Sequence, residues 1–178
     1  TYPDLYRVLG RFHSRKIQYK EAEAAYLKWA EYDSNYYKPY EKLGYVTYQQ
    51  KRYADSTEHY LKAKSLNPTR PYISQSICHN HVKQKQWQTA IDTCSEAIAL
   101  EPEDGFAYGE RAKAYEAIGK SNLAGIDAQA SEDLKSNVYD KDTYTRDPGL
   151  SLSMSLSKWS TLLLGLAMLI FGLTRLLI

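Results

Sequence analysis

"KPYEKLGYVTYQQKRYADSTEHYLKAKSLNP" occupies residues 38–68 and carries two apolar stripes of the same period. In its first half Tyr40, Leu43, Val46 and Thr47 fall at i, i+3, i+6 and i+7, which places them along one side of a helix. In its second half Tyr53, Thr57, Tyr60, Ala63 and Lys64 do the same. Helices this short are marginal in water by themselves. Each stripe therefore needs the other, and the stretch reads as a pair of helices packed together. Pro68 closes the pair, because proline lacks the N–H that would extend a helix through it.

Outward from this stretch the pattern recurs. "SLNP" (65–68) is echoed by "ALEP" (99–102), with the prolines 34 residues apart. Extending that period divides the chain into units 3–36, 37–70, 71–104 and 105–138. The eighth position of the units reads Gly10, Gly44, Cys78 and Ala112, and the twentieth reads Ala22, Ser56, Ala90 and Ala124. Small residues thus return wherever paired helices need close approach. Large ones return as well: the fourth position reads Tyr6, Tyr40, Ser74 and Tyr108, and the twenty-fourth begins Tyr26, Tyr60. Many of the 17 tyrosines keep this phase.

A 34-residue period with small residues at these positions and a terminal proline resembles the tetratricopeptide repeat family, over about residues 3–138. The middle two units match best. Trp29 stands where the family has Ala, Arg111 where it has Leu, and Ser34 and Ser136 replace the terminal Pro, so the outer repeats are irregular, as end repeats tend to be. The resemblance implies an all-α solenoid of four helix-turn-helix repeats, eight antiparallel helices in a right-handed superhelix. It also implies a binding module rather than an enzyme, with a concave groove lined by the first helix of each pair.

On the family's groove positions the chain places Arg7, Arg11 and Arg15 in the first repeat, and Tyr45 and Tyr48 in the second. The third supplies Tyr72, Gln75 and His79, and the fourth Phe106 and Lys113. The three arginines follow at i, i+4 spacing and share one helix face. They read either as a site for a carboxylate or acidic peptide, through bidentate guanidinium contacts, or as a solvated end helix answered by Asp4 or Glu residues nearby. The aromatic groove residues read either as platforms for peptide side chains or as packing between repeats. Chaperone-binding members of the family clamp a C-terminal carboxylate with Lys and Asn residues. Arg7, Arg11, Tyr45, Gln75 and His79 stand at the corresponding positions, so that clamp is not expected.

Composition narrows the remaining classes. With 23 Lys+Arg against 21 Asp+Glu, the balance advertises neither nucleic acid nor an acidic mimic. "CHNH" (78–81) with Cys94 suggests zinc, but Cys78 and Cys94 fall on small or apolar repeat positions, so they read as buried thiols and no metal or other cofactor is expected. A disulfide between them is conceivable, since both helices of one pair carry them; free thiols are expected if the domain is cytosolic. No phosphate loop, nucleophile elbow or metalloprotease motif is present, and nothing argues for an enzyme.

The period stops after residue 138. Residues 139–157 are polar and read as a linker, with a reach of roughly 25 Å as flexible chain. "STLLLGLAMLIFGLTRLLI" (160–178) then breaks with a chain whose mean hydropathy is −0.57. Trp159 to Ile178 is long enough, at about 30 Å as helix, to span a bilayer's hydrocarbon core. Trp159 suits one interface, and Arg175 can snorkel to the other. Residues 158–178 are therefore expected to form a transmembrane helix, in contact with membrane lipid and, through Thr161 and Gly165, with other transmembrane helices. Lys141, Arg146 and Lys158 precede the run and Arg175 alone follows, a bias that puts the repeats on the cytoplasmic side. The expected function is a membrane-anchored adaptor that binds a protein partner or extended peptide. The alternative is an accessory or assembly subunit of a larger membrane complex.

Overall fold

The computed structural model describes residues 2–134, and among them eight α-helices follow one another. They are α1 (Tyr2–Arg15), α2 (Tyr19–Tyr32), α3 (Tyr37–Gln49), α4 (Tyr53–Leu66), α5 (Pro71–Lys83), α6 (Trp87–Leu100), α7 (Gly105–Ala117) and α8 (Ser121–Asp133). The polar linker and the apolar run with Trp159 and Arg175 lie outside the described residues. Among those described, no helix is long and apolar enough to cross a membrane.

The period survives at the level of backbone geometry. The second helices begin at Tyr19, Tyr53, Trp87 and Ser121, which keeps the repeat spacing. Each pair turns through a residue in the left-handed region: Ile17, Lys51, Lys85 and Gly119, with φ of 61°, 62°, 58° and 76°. Each turn is closed by the same bond reaching back five residues. Gln18 N donates to His13 O at 3.0 Å, Arg52 N to Thr47 O at 3.0 Å, Gln86 N to His81 O at 3.0 Å and Lys120 N to Tyr115 O at 2.9 Å. This satisfies carbonyls that the end of the first helix leaves without helical partners.

Pairing buries the two stripes read from the sequence. Leu43, Val46, Thr47, Thr57, Tyr60 and Ala63 are all buried, while Lys64 reaches out to Glu96 at 2.6 Å. The eighth and twentieth repeat positions are buried in every unit. At the eighth the reason is specific. A Cβ on Gly10 would stand 2.3 Å from the ring of Tyr26, and one on Gly44 2.8 Å from the ring of Tyr60, so glycine makes room for a tyrosine sixteen residues on. In the third repeat these two sites hold Cys78 and Cys94, and they are bonded to each other, with Cα atoms 4.8 Å apart. Of the two states left open by the sequence the structure holds the disulfide: the core site that takes glycine under a ring in two repeats takes a buried cross-link in the third.

Two of the departures from the family pattern, Trp29 and Arg111, are accommodated by polar bonds. Trp29 is buried against Tyr36, and its indole N–H donates to Asp33 at 2.7 Å. Arg111 bonds Asp127 through two nitrogens, at 2.7 and 2.9 Å, and Ser95 at 2.9 Å, linking α7, α8 and α6. A further buried chain runs from Asn80 to Ser56 at 2.8 Å and from Ser56 to the Gly44 carbonyl at 2.7 Å. In α8 only Ala124 and Asp127 are buried, which agrees with its thin apolar stripe.

Candidate functional site

The first helices of successive repeats share a face, and a row of rings crosses it. The Tyr48 hydroxyl on α3 meets His79 Nε2 on α5 at 2.7 Å, with the rings 5.3 Å apart. His79 in turn lies 5.5 Å from the ring of Phe106 on α7. All three are partly exposed. Beneath them sits Glu110, buried on α7, with Oε2 2.9 Å from His79 Nδ1 at an angle outside a regular hydrogen bond. Lys113 approaches its other oxygen at 2.5 Å. Burial alone would raise the Glu110 pKa, but His79 and Lys113 outweigh it and hold the carboxyl below its ordinary range.

In the two middle repeats the fifth position behaves differently from the ninth. Glu41 and Gln75 are both buried and reach the loop that leads to the next repeat. Glu41 accepts from Arg70 Nε at 2.5 Å, and Gln75 donates to Glu101 at 3.0 Å and to Asp104. Asp104 also accepts from the Phe106 amide at 3.0 Å and so caps α7. Gln75 is therefore spent inside the repeat stack. Arg7, by contrast, pairs at the surface with Asp4 at 3.2 Å.

The N-terminal half of this face is basic. Lys42 lies 3.7 Å from Glu41, and its pKa is lowered by burial first and then by the neighbouring charges of Arg70, Arg11 and Lys38. Arg70 lies over the ring of Tyr37 and Lys38 over that of Tyr36, at 5.5 and 5.6 Å. Arg15 is exposed at the end of α1. Tyr45 packs edge-on against Tyr19, at 6.5 Å between centroids. Tyr72 packs on Tyr60, with the two hydroxyls 3.1 Å apart. The face therefore unites Tyr48, His79, Phe106 and Lys113 at one end and sets Arg7, Arg11 and Arg15 at the other. Tyr45 and Tyr72 contact second-helix tyrosines between these ends.

Sequence reading passed over Lys42, Glu110 and Arg70. Lys42 and Glu110 share the sixth repeat position with Val8 and Ser76, and that change of charge along one position was the available signal. Cys78 and Cys94, raised as zinc ligands, are consumed by their bond, and His81 Nδ1 meets Gln86 at 2.6 Å.

Eight helices in four matched pairs, with a polar and aromatic face across the first helices, define a helical-repeat protein of the tetratricopeptide type. Residues 6–105 match the Tetratricopeptide repeat protein 21 C-terminal ARM domain, and the chain belongs to that family. Among curated relatives it is 26% identical over 96 residues to mouse Tetratricopeptide repeat protein 21B and 25% to the human protein, across 53% of this chain. The matched stretch is 7% of the length of either relative. Among solved structures it resembles MamA of Desulfovibrio magneticus, with a TM-score of 0.73 at 22% identity over 78% of each chain. It also resembles YrrB, described as a TPR protein with an unusual peptide-binding site, with a TM-score of 0.68 at 15% identity over 74% of this chain and 68% of that one. These likenesses show a shared fold.

Proposed function

We propose that this protein is a membrane-anchored adaptor: the repeats take up a protein partner or extended peptide, and residues 158–178 hold the assembly at a bilayer. The observation that carries the recognition half is the Tyr48, His79 and Phe106 row, three partly exposed rings bridging three repeats. Such a row offers successive slots to an extended chain, with the basic half beyond it for acidic side chains. The peptide-binding site described for YrrB fits this use of the fold. The anchoring half rests on the apolar run, whose length suits a hydrocarbon core and whose Trp159 and Arg175 suit its boundaries. Chemistry of its own is not part of the proposal.

Orientation carries two opposed signals. The Lys and Arg bias around the run places the repeats on the cytoplasmic side, and we adopt that side. The Cys78–Cys94 bond speaks for an oxidising compartment, where disulfides persist. Alkylation of intact membranes before and after reduction separates these. A pair recovered reduced keeps the cytoplasmic placement, and a pair recovered oxidised moves the repeats to the opposite side.

The experiment for the function is mild detergent extraction and affinity purification of the chain, with its own apolar run and with an unrelated anchor of equal length. Retention of a soluble partner by both supports the adaptor. Co-purification of membrane proteins only with the native run supports the alternative, a permanent subunit of a larger complex. Loss of partner in an Arg7→Glu, Arg11→Glu double variant would tie binding to the basic end of the face; full retention removes that end from the site.

A further inference from the structure

The basic half of the face converges on Lys42. This residue stands on α3 one turn after Lys38, and its side chain is only 23% exposed. Beside it the buried Glu41 turns one oxygen to Arg70, 2.5 Å from the guanidinium Nε, and the other to Lys42 at 3.7 Å. Arg11 acts on Lys42 from α1, and with Arg15 it also acts on Tyr26, whose ring lies over Gly10. Burial first, and then the charges of Arg70, Arg11 and Lys38, lower the Lys42 pKa, and the pull of Glu41 does not offset them. Arg11 of α1, Lys38 and Lys42 of α3, and Arg70 just before α5 thus gather around one carboxylate. Of these, Arg11 alone stands at a position that the carboxylate-clamping members of the family use. Lys38, Lys42 and Arg70 occupy the second, sixth and last positions of the second repeat.

Like charges held together in this way repel, and an anion that brings more than one charge relieves them best. A carboxylate brings a single charge and two oxygens, and Glu41 already places one such group here. A phosphate monoester brings about two charges and three terminal oxygens, enough to meet donors on separate elements at once. We propose that the cluster receives a phosphate monoester carried on a side chain of the partner, with Lys42 as the central contact and Arg11 and Arg70 closing on it from either side. This deepens the recognition of a protein partner proposed above and rests on it: the partner is a phosphorylated chain. The phosphate end of the face is set by Lys42, and the aromatic row of Tyr48, His79 and Phe106 continues from it across the later repeats.

Two capped pentapeptides that differ only at the central residue, phosphoserine or aspartate, probe the full chain in neutral detergent at low salt. The phosphopeptide is expected to bind about tenfold tighter or better than the aspartate peptide. Its affinity should fall as pH drops through about 6, where the phosphate takes up its second proton, while the aspartate peptide stays unchanged there. Lys42→Met keeps the apolar stem and is expected to abolish the preference. Lys28→Gln removes one positive charge from an exposed site on α2 and should alter it by less than about twofold. Where the helical melting curve shows that Lys42→Met does not fold, Arg11→Gln makes the same test from α1. Equal binding of the two peptides, or binding of neither, overturns the proposal. So does a preference that survives both Lys42→Met and Arg11→Gln, or one that Lys28→Gln removes as well. Phosphatidic acid vesicles that bind through Lys42 while the phosphopeptide does not would assign the cluster to a lipid headgroup, and inorganic phosphate binding alone would assign it to the free ion; either result overturns it. A partner that stays on the purified chain after phosphatase treatment sinks this inference and leaves the adaptor standing. Absence of any partner sinks the adaptor and the inference together.

Discussion

The first two helix pairs and the third occupy one core site by different means. In the first two, a glycine on the first helix lies under a tyrosine ring from the second: Gly10 under Tyr26, Gly44 under Tyr60. In the third, cysteine stands at both sites and a covalent bond spans the gap. A ring stabilises by the apolar area it removes from water, and the site tolerates it only without a Cβ opposite. A disulfide acts largely by constraining the unfolded chain, so its contribution depends on redox state while the ring's does not. One repeat in the stack is thus sensitive to reductant, while the matching site of the first two is held by packing.

Removing the ring should have the largest effect. Tyr60→Ala is expected to cost about 3–5 kcal/mol, read from the urea midpoint, because a buried aromatic leaves a cavity that the pair cannot close. A loss below about 1 kcal/mol would mean that the second pair does not depend on its ring. Next comes Cys78→Ala with Cys94→Ala. Closing a loop of this length stabilises by roughly 3 kcal/mol, and the variant should match the native chain in reductant. Equal stability of oxidised and reduced native chain would remove the contrast between the pairs.

Gly44→Ala should cost about 1–3 kcal/mol, since the new methyl would stand 2.8 Å from Tyr60. In the Tyr60→Ala background that cost should vanish, giving a double-mutant coupling above about 1 kcal/mol. The fourth repeat already carries alanine at both sites, Ala112 and Ala128. Smallest is Ile17→Gly, expected to stabilise by under about 1 kcal/mol. A β-branched residue at φ 61° is strained, and the fourth repeat uses Gly119 at the same place. Destabilisation would show that the isoleucine side chain contributes packing that outweighs its backbone.

The period, the helix pairs and the buried stripes were legible because they rest on local spacing. Tyr40, Leu43 and Val46 needed no knowledge of any partner. The coupling of eighth and twenty-fourth positions was written in the same alignment, yet Gly10 and Gly44 read as sites of close helix approach when their neighbour is a ring. Cys78 and Cys94 were seen to be able to meet, but their fate turned on a compartment, which spacing does not encode. The face was harder still. Gln75 sits on a groove position and is buried, because Asp104 lies where only the folded loop brings it. Glu110 became visible once His79 and Lys113 had been placed around it. Long-range polar partners leave no periodic trace, and those partners separate the site from a list of groove positions.

The ties between repeats differ along the stack in one more respect. The joint after the first repeat is lined by Trp29, Tyr36 and Tyr37, ring against ring, and crossed by the Glu23–Arg52 pair at 2.8 Å, whereas Glu41 with Arg70 and Gln75 with Asp104 fasten the loops that lead to the later repeats. Aromatic contact is indifferent to dissolved ions, while a partly exposed ion pair such as Glu41–Arg70 is screened by them. Treated as an elastic rod, the domain has a bending stiffness with an aromatic part that salt leaves alone and an ionic part that it lowers. A load on the stack would then meet a stiffness that falls toward its aromatic part as ionic strength rises.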